Sequence, residues 1–167
     1  MMRRDARGMM LLHVLLAASI MAVLAATALP RVHTLYVRAA VEYEAVHLVG
    51  ELRRIQAVSR TTAMPLYILG GTAAGAREPQ LYVRNGSYEI APHGGTGRAH
   101  RMLPFVRITQ VTADGKAMSF DRNGGIGQGS SNMTIRIEAE GHARDALNVI
   151  IDSAARIRLQ RGGRDEE

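Results

Sequence analysis

Polar side chains nearly vanish between Met9 and Leu29, where His13, Ser19 and Thr27 are the only ones. A bilayer core is crossed by about 20 apolar residues in a helix, and this run has that length. A helix lying on a soluble core would carry polar residues at helical spacing, which this run lacks. A secretory signal has a shorter apolar region, about 7–15 residues, closed by a small-x-small cut site. Here small residues spread through the whole run. The pattern therefore predicts a membrane-spanning helix. Pro30 interrupts it, but a long helix can continue through a proline with a kink. From Arg31 to Ala63 apolar residues recur at Leu35, Ala39, Val46, Val49, Leu52, Ile55 and Val58, with charged residues between them. That spacing predicts an amphipathic continuation with one buried stripe. The expected helix runs from Met9 to Ala63, with residues 9–30 in lipid and 31–63 offering one face to a partner layer.

After Met64–Pro65 the period changes. Short segments rich in β-branched and aromatic residues alternate with Gly, Pro, Asn and Asp. The expected strands are Leu66–Leu69, Leu81–Arg84, Tyr88–Ala91, Phe105–Val111, Ala117–Asp121, Met133–Ala139, Ala146–Asp152 and Arg156–Gln160. The Asn-Gly of "RNGS" (Arg84–Ser87) is a hairpin signal. "TADGK" (Thr112–Lys116) reads as an Asp-Gly turn, and Gly141 as a turn between two strands. Connections this short imply antiparallel pairing. The expected fold class is α+β: a long N-terminal helix packed on an antiparallel β-sheet domain of residues 64–160, with 161–167 as a tail.

Composition narrows the chemistry. The chain has 167 residues and no cysteine, so it has no disulfide framework, thiol nucleophile or thiolate metal site. Net charge is +6, almost all of it from arginine, with Lys116 the one lysine. Arg3, Arg4 and Arg7 precede the apolar run and mark the cytoplasmic side by the positive-inside rule. The rest of the chain is then expected across the membrane. "GGIGQG" (Gly124–Gly129) is followed by a strand rather than a helix, so it reads as a β-turn and not a dinucleotide fingerprint. "HGGTGRAH" carries His93 and His100 in what reads as a loop, without a third metal ligand in view. No phosphate-binding loop and no locally supported triad is present. No enzyme activity, catalytic residue, metal or cofactor is expected. "ARIRLQRGGR" is the one basic cluster. Alternation puts Arg156 and Arg158 on one face of a strand, with Arg161 and Arg164 following. The plain reading is an edge strand guarded by charge; the alternative is contact with phosphates.

Several of these residues together resemble a known family. A basic leader ending in Gly8, an apolar run starting at Met9, and Pro30 at the twenty-second place after that glycine resemble the type IV prepilin signature. The long helix followed by antiparallel β-structure resembles a pilin or pseudopilin subunit. "ELRRIQAVSRTTAMPLYI" (Glu51–Ile68), "MSFDRNGGIGQGSSNMTIRIEAEG" and "NVIIDSAARIRLQ" are similar to the GspH/FimT-type minor subunits. The resemblance implies that residues 1–8 are a leader, that a prepilin peptidase cuts after Gly8, and that the new terminus on Met9 is methylated. It further implies a single-pass inner-membrane protein, drawn by an assembly platform into a filament with other pilins or pseudopilins for secretion or pilus assembly. His13 stands at the fifth place after the cut, where these proteins usually carry a glutamate that pairs with the new amino-terminus of a neighbouring subunit; the resemblance makes His13 and Pro30 the positions of subunit register. A charge in lipid needs a partner, and His13 supplies no carboxylate. FimT-like subunits of DNA-uptake filaments contact DNA through a C-terminal Gly-Arg-x-Arg pattern. Arg156 and Arg158 match its arginines, and Ala155 stands where it has glycine. DNA is thus the alternative partner, through Arg156, Arg158, Arg161 and Arg164.

Overall fold

The computed structural model describes residues 3–61, 79–84, 87–91, 97–112, 117–121, 123–127 and 130–162. The fold class is α+β. One helix, α1 (Arg3–Thr61), runs through Pro30 without a break. It starts six residues before Met9, so residues 3–8 share the helix, and the last two positions of the expected helix, 62 and 63, lie outside the described residues. The expected strand Leu66–Leu69 lies outside the described residues. The chain divides into two compact units, Met1–Arg38 and Ala39–Glu167.

Within the first unit, every side chain from Met9 to Tyr36 is exposed. Among the described residues α1 is the one helix long and apolar enough to cross a membrane.

In the second unit, the helix buries Ala40, Val41, Glu44, Ala45, Leu48, Val49, Leu52, Ile55 and Ser59. This corrects the expected stripe. Ala39, Val46 and Val58, like Leu35 in the first unit, are exposed. An apolar count needs a double step from Ala39 to Val46, because the true face passes through a glutamate and two adjacent alanine-containing pairs. Steps of three and four residues lead cleanly through Val41, Glu44, Leu48, Leu52, Ile55 and Ser59.

The strands form two four-stranded antiparallel sheets, not one. The first has the order β3-β2-β1-β5, from β1 (Gln80–Arg84), β2 (Ser87–Ala91), β3 (Arg98–Arg101) and β5 (Ala117–Ser119). The second is β4-β6-β7-β8, from β4 (Val106–Val111), β6 (Met133–Ala139), β7 (Leu147–Ile151) and β8 (Ile157–Arg161). Arg84 pairs with Ser87, so Asn85 and Gly86 join β1 to β2 as a two-residue hairpin link. The Asp-Gly of "TADGK" joins strands of different sheets: β4 pairs with β6 and β5 with β1. A short connection implies antiparallel pairing of the strands it joins, but local turn chemistry does not select the partner strand. Strand β6 alternates buried and half-buried residues along its whole length, as a strand with one core face should. Gly141 has φ +76° in the turn that follows, a left-handed conformation that glycine adopts freely.

Strand β3 occupies part of the expected "HGGTGRAH" loop. Its Tyr88↔His100 and Ser87↔Arg101 pairing with β2 sets the pleat. Four residues with two arginines lack an apolar alternation, so period alone cannot find this strand.

The core is made by the helix segment together with Leu81, Val83, Tyr88, Met118 and Phe120 of the first sheet region, and Val106, Ile108, Met133, Ile135, Ile137, Val149 and Ile151 of the second. Gln56 fastens the helix to both. Its amide donates to the carbonyls of Gly124 (2.7 Å) and Ala155 (3.1 Å). Gly124 follows β5, and Ala155 sits in the β7–β8 turn.

Candidate functional site

The residues that the sequence singles out fall in three places. The first is the start of α1. The Gly8–Met9 bond lies inside the helix, so a peptidase would need that turn unwound. Helix ends open at little cost, and this bond is close to one. The three polar side chains of the apolar run all bond back to the helix. His13 Nδ1 donates to the Met9 carbonyl (2.8 Å), which puts that ring proton on Nδ1. The Ser19 hydroxyl donates to the Leu16 carbonyl (2.7 Å), and Thr27 donates to that of Leu24 (3.0 Å). Beyond the run, Thr34 donates to the carbonyl of Pro30 (2.9 Å). In hydrocarbon, where water offers no partner, local satisfaction of this kind removes much of the cost of a polar side chain.

The second place is the arginine run, and the structure divides it. Asp152 holds Arg156 and Arg158 together: Nε of Arg156 and Nη2 of Arg158 each donate to Oδ2 at 2.8 Å. The other oxygen, Oδ1, accepts the backbone N–H groups of Ala154 and Arg156, both at 3.0 Å. The Arg156 N–H first, and then the two guanidinium groups, hold the Asp152 carboxyl down at about 2. Arg161 lies at the far end of β8, and Arg164 is outside the described residues. Ala155 has φ 56° within this turn, a left-handed residue where glycine is normally favoured. The Asp152 bonds on either side of it hold the turn in place.

The glycine-rich segment behaves similarly. Asp121 accepts the N–H groups of Asn123 (2.9 Å) and Gly125 (2.6 Å). Gly124 has φ +79°. Here the glycines make a capped turn, as the following strand requires.

The third place was missed by sequence reasoning. Glu44 is 1% exposed on the buried face of α1. Its Oε2 accepts from His100 Nε2 on β3 (3.0 Å), and its Oε1 accepts the Leu103 N–H (3.0 Å). The His100 ring stacks on that of His47 with centroids 4.3 Å apart. His47 Nδ1 is hydrogen-bonded to the buried Tyr88 hydroxyl. Burial first, then the nearby Glu44, Glu51 and Tyr43, push the Tyr88 phenol well above its ordinary range, so its hydroxyl keeps its proton. Two carboxylate oxygens, two imidazoles and a phenol thus tie the helix to β2, β3 and the β3–β4 connection. Each oxygen of the buried Glu44 faces an N–H donor. The signal available in sequence was Glu44 itself, a charge falling on a mostly apolar helical face. His93, the other histidine of the expected loop, lies outside the described residues. A cleft of about 570 Å³ runs along β4 from Arg101 to Thr109, and its Arg107 is already paired with Glu140 at 2.8 Å.

No protein-family model, curated protein or solved structure matches the chain.

Proposed function

We propose that this chain is a minor pilin or pseudopilin: a structural subunit that helps initiate or cap a filament of the type II secretion or type IV pilus class, without chemistry of its own. The observation that carries the reading is the wholly exposed apolar segment of α1 behind a basic leader and the Gly8–Met9 junction. An apolar helix of this kind has two resting places, lipid before assembly and neighbouring helices after it. The back-bonded His13, Ser19 and Thr27 suit both, because each has already given a donor to its own helix. On the second unit, Ala39, Tyr43, Val46 and Gly50 follow one another at helical spacing on the exposed face. A Cβ added at Gly50 would meet nothing within 4 Å, so a neighbouring helix can approach closely there.

On this reading the protein sits in the inner membrane with its N-terminus cytoplasmic and its β unit outside. Its partners are a prepilin peptidase, an assembly platform and other pilin-like subunits. His13 lacks the carboxylate that would pair with a neighbour's amino-terminus, which favours a tip position over repeated internal ones. Binding of DNA through Arg156 and Arg158 is less well supported, because both guanidiniums are already engaged by Asp152.

Intact mass and N-terminal analysis of the membrane-extracted protein, with and without the peptidase, tests the proposal. A peptidase-dependent chain beginning at methylated Met9 is expected. A chain that keeps Gly8 in both strains refutes it.

A further inference from the structure

We propose that the free edge of β8 pairs with β8 of a second copy of this chain, antiparallel and centred on Leu159. This inference does not depend on the filament reading.

Two bonds fix the phase of the edge. Asp152 N–H donates to the Arg156 carbonyl (3.2 Å), and Gly162 N–H donates to that of Ala146 (2.8 Å). These bracket β8, so Arg158 and Gln160 exchange ladder bonds with Ile150 and Asn148. Ile157, Leu159 and Arg161 therefore turn their N–H and C=O groups away from β7. Among the described residues no strand lies beyond β8. Three of four edges are poor templates for pairing. Strand β4 carries a register shift between Ile108 and Gln110, a common device for blunting an edge. Strand β5 has three residues, and β3 has four, two of them arginine. Strand β8 has five, in unbroken register with β7.

Charge usually protects such an edge, but here much of it is spent. The Arg158 guanidinium is bound to Asp152 of its own chain at 2.8 Å. Pairing centred on Leu159 sets Arg158 opposite Gln160 of the second copy and Ile157 opposite Arg161. No like charges then stand directly opposite, an arrangement that would be destabilising. Leu159, 41% exposed in one chain, meets its own copy. Every outward N–H and C=O of Ile157, Leu159 and Arg161 gains a partner. The symmetry is two-fold and self-complementary.

The absence of cysteine makes the register directly testable, since one introduced thiol reports only on itself. In this register two Leu159 Cα atoms lie about 5.5 Å apart, inside the disulfide range of about 4.4–6.8 Å. Two Gln160 positions are diagonal neighbours at about 7–8 Å, outside it. Full-length Leu159→Cys and Gln160→Cys proteins, purified in detergent and mildly oxidised, are compared by non-reducing gel. Disulfide dimer should form about tenfold faster or more at position 159, given those geometric limits. No dimer at 159, or equal rates at both positions, overturns the register. In the unmodified protein, hydrogen exchange at the Leu159 amide should slow as concentration rises. Protection that is independent of concentration would mean that the edge is covered within one chain, and would also overturn the proposal.

Discussion

Replacing His100 with alanine isolates the pair that joins α1 to the first sheet. Glu44 would keep its burial and its bond from Leu103 N–H, but Oε2 would lose its donor. A hydrogen bond to a charged group contributes about 1.5–3 kcal/mol, and stranding one partner of a buried pair costs about 3–5 kcal/mol. The His100 side chain is 26% exposed, so water can partly replace it, and the low end applies: about 3 kcal/mol for His100→Ala. Glu44→Ala removes the acceptor for two donors but also removes the cost of burying a carboxylate, leaving about 2 kcal/mol. If the two act on one another, the double variant loses less than the sum, with a coupling near 1.5 kcal/mol. Denaturant unfolding of the full chain in detergent, followed by tyrosine near-ultraviolet dichroism at fixed pH, measures all four corners of the cycle. Hydrogen exchange at the Leu103 amide should rise in Glu44→Ala. A coupling below about 0.5 kcal/mol, within the usual additivity error, would refute the pairing of Glu44 with His100.

Three further outcomes follow from single residues. The Asp152 carboxyl is held at about 2, against an ordinary 3.8, so its grip on the β7–β8 turn is complete above about pH 4 and fades as pH falls through 2. Asp152→Asn should remove that acid sensitivity and speed exchange at the Ala154 and Arg156 amides; unchanged acid unfolding would count against it. Gly124→Ala should destabilise by about 1–2 kcal/mol from its left-handed backbone, with further rearrangement because the new Cβ would clash with the Arg60 guanidinium, and a melting curve measures it. His13→Leu should leave membrane insertion unchanged in an alkali-extraction assay, since the Nδ1 proton of the imidazole is bonded within its own helix; loss of insertion would show that the ring has a partner elsewhere.

Much of the α+β layout was legible because it rests on period. The apolar run, the amphipathic continuation and the alternation in β6 are each one-dimensional signals. The glycine-rich segment was legible as a turn because a strand, not a helix, follows it. What escaped reading depends on partners distant in sequence. Glu44 breaks the hydrophobic pattern of its face, and only β3 and Leu103 explain why a carboxylate is tolerated there. Strand β3 has little strand character of its own and is a strand because β2 pairs with it. The division into two sheets is decided by which edges meet, which the "TADGK" turn cannot encode. The arginines of the C-terminal run look alike in sequence, yet Asp152 separates two of them from Arg161.

Gln56 has a mechanical consequence. Its single amide grips one carbonyl associated with each sheet, Gly124 and Ala155. A load drawn along this part of the helix would reach both carbonyls in parallel, as shear, and not one after the other. The two sheets would then take up the load together.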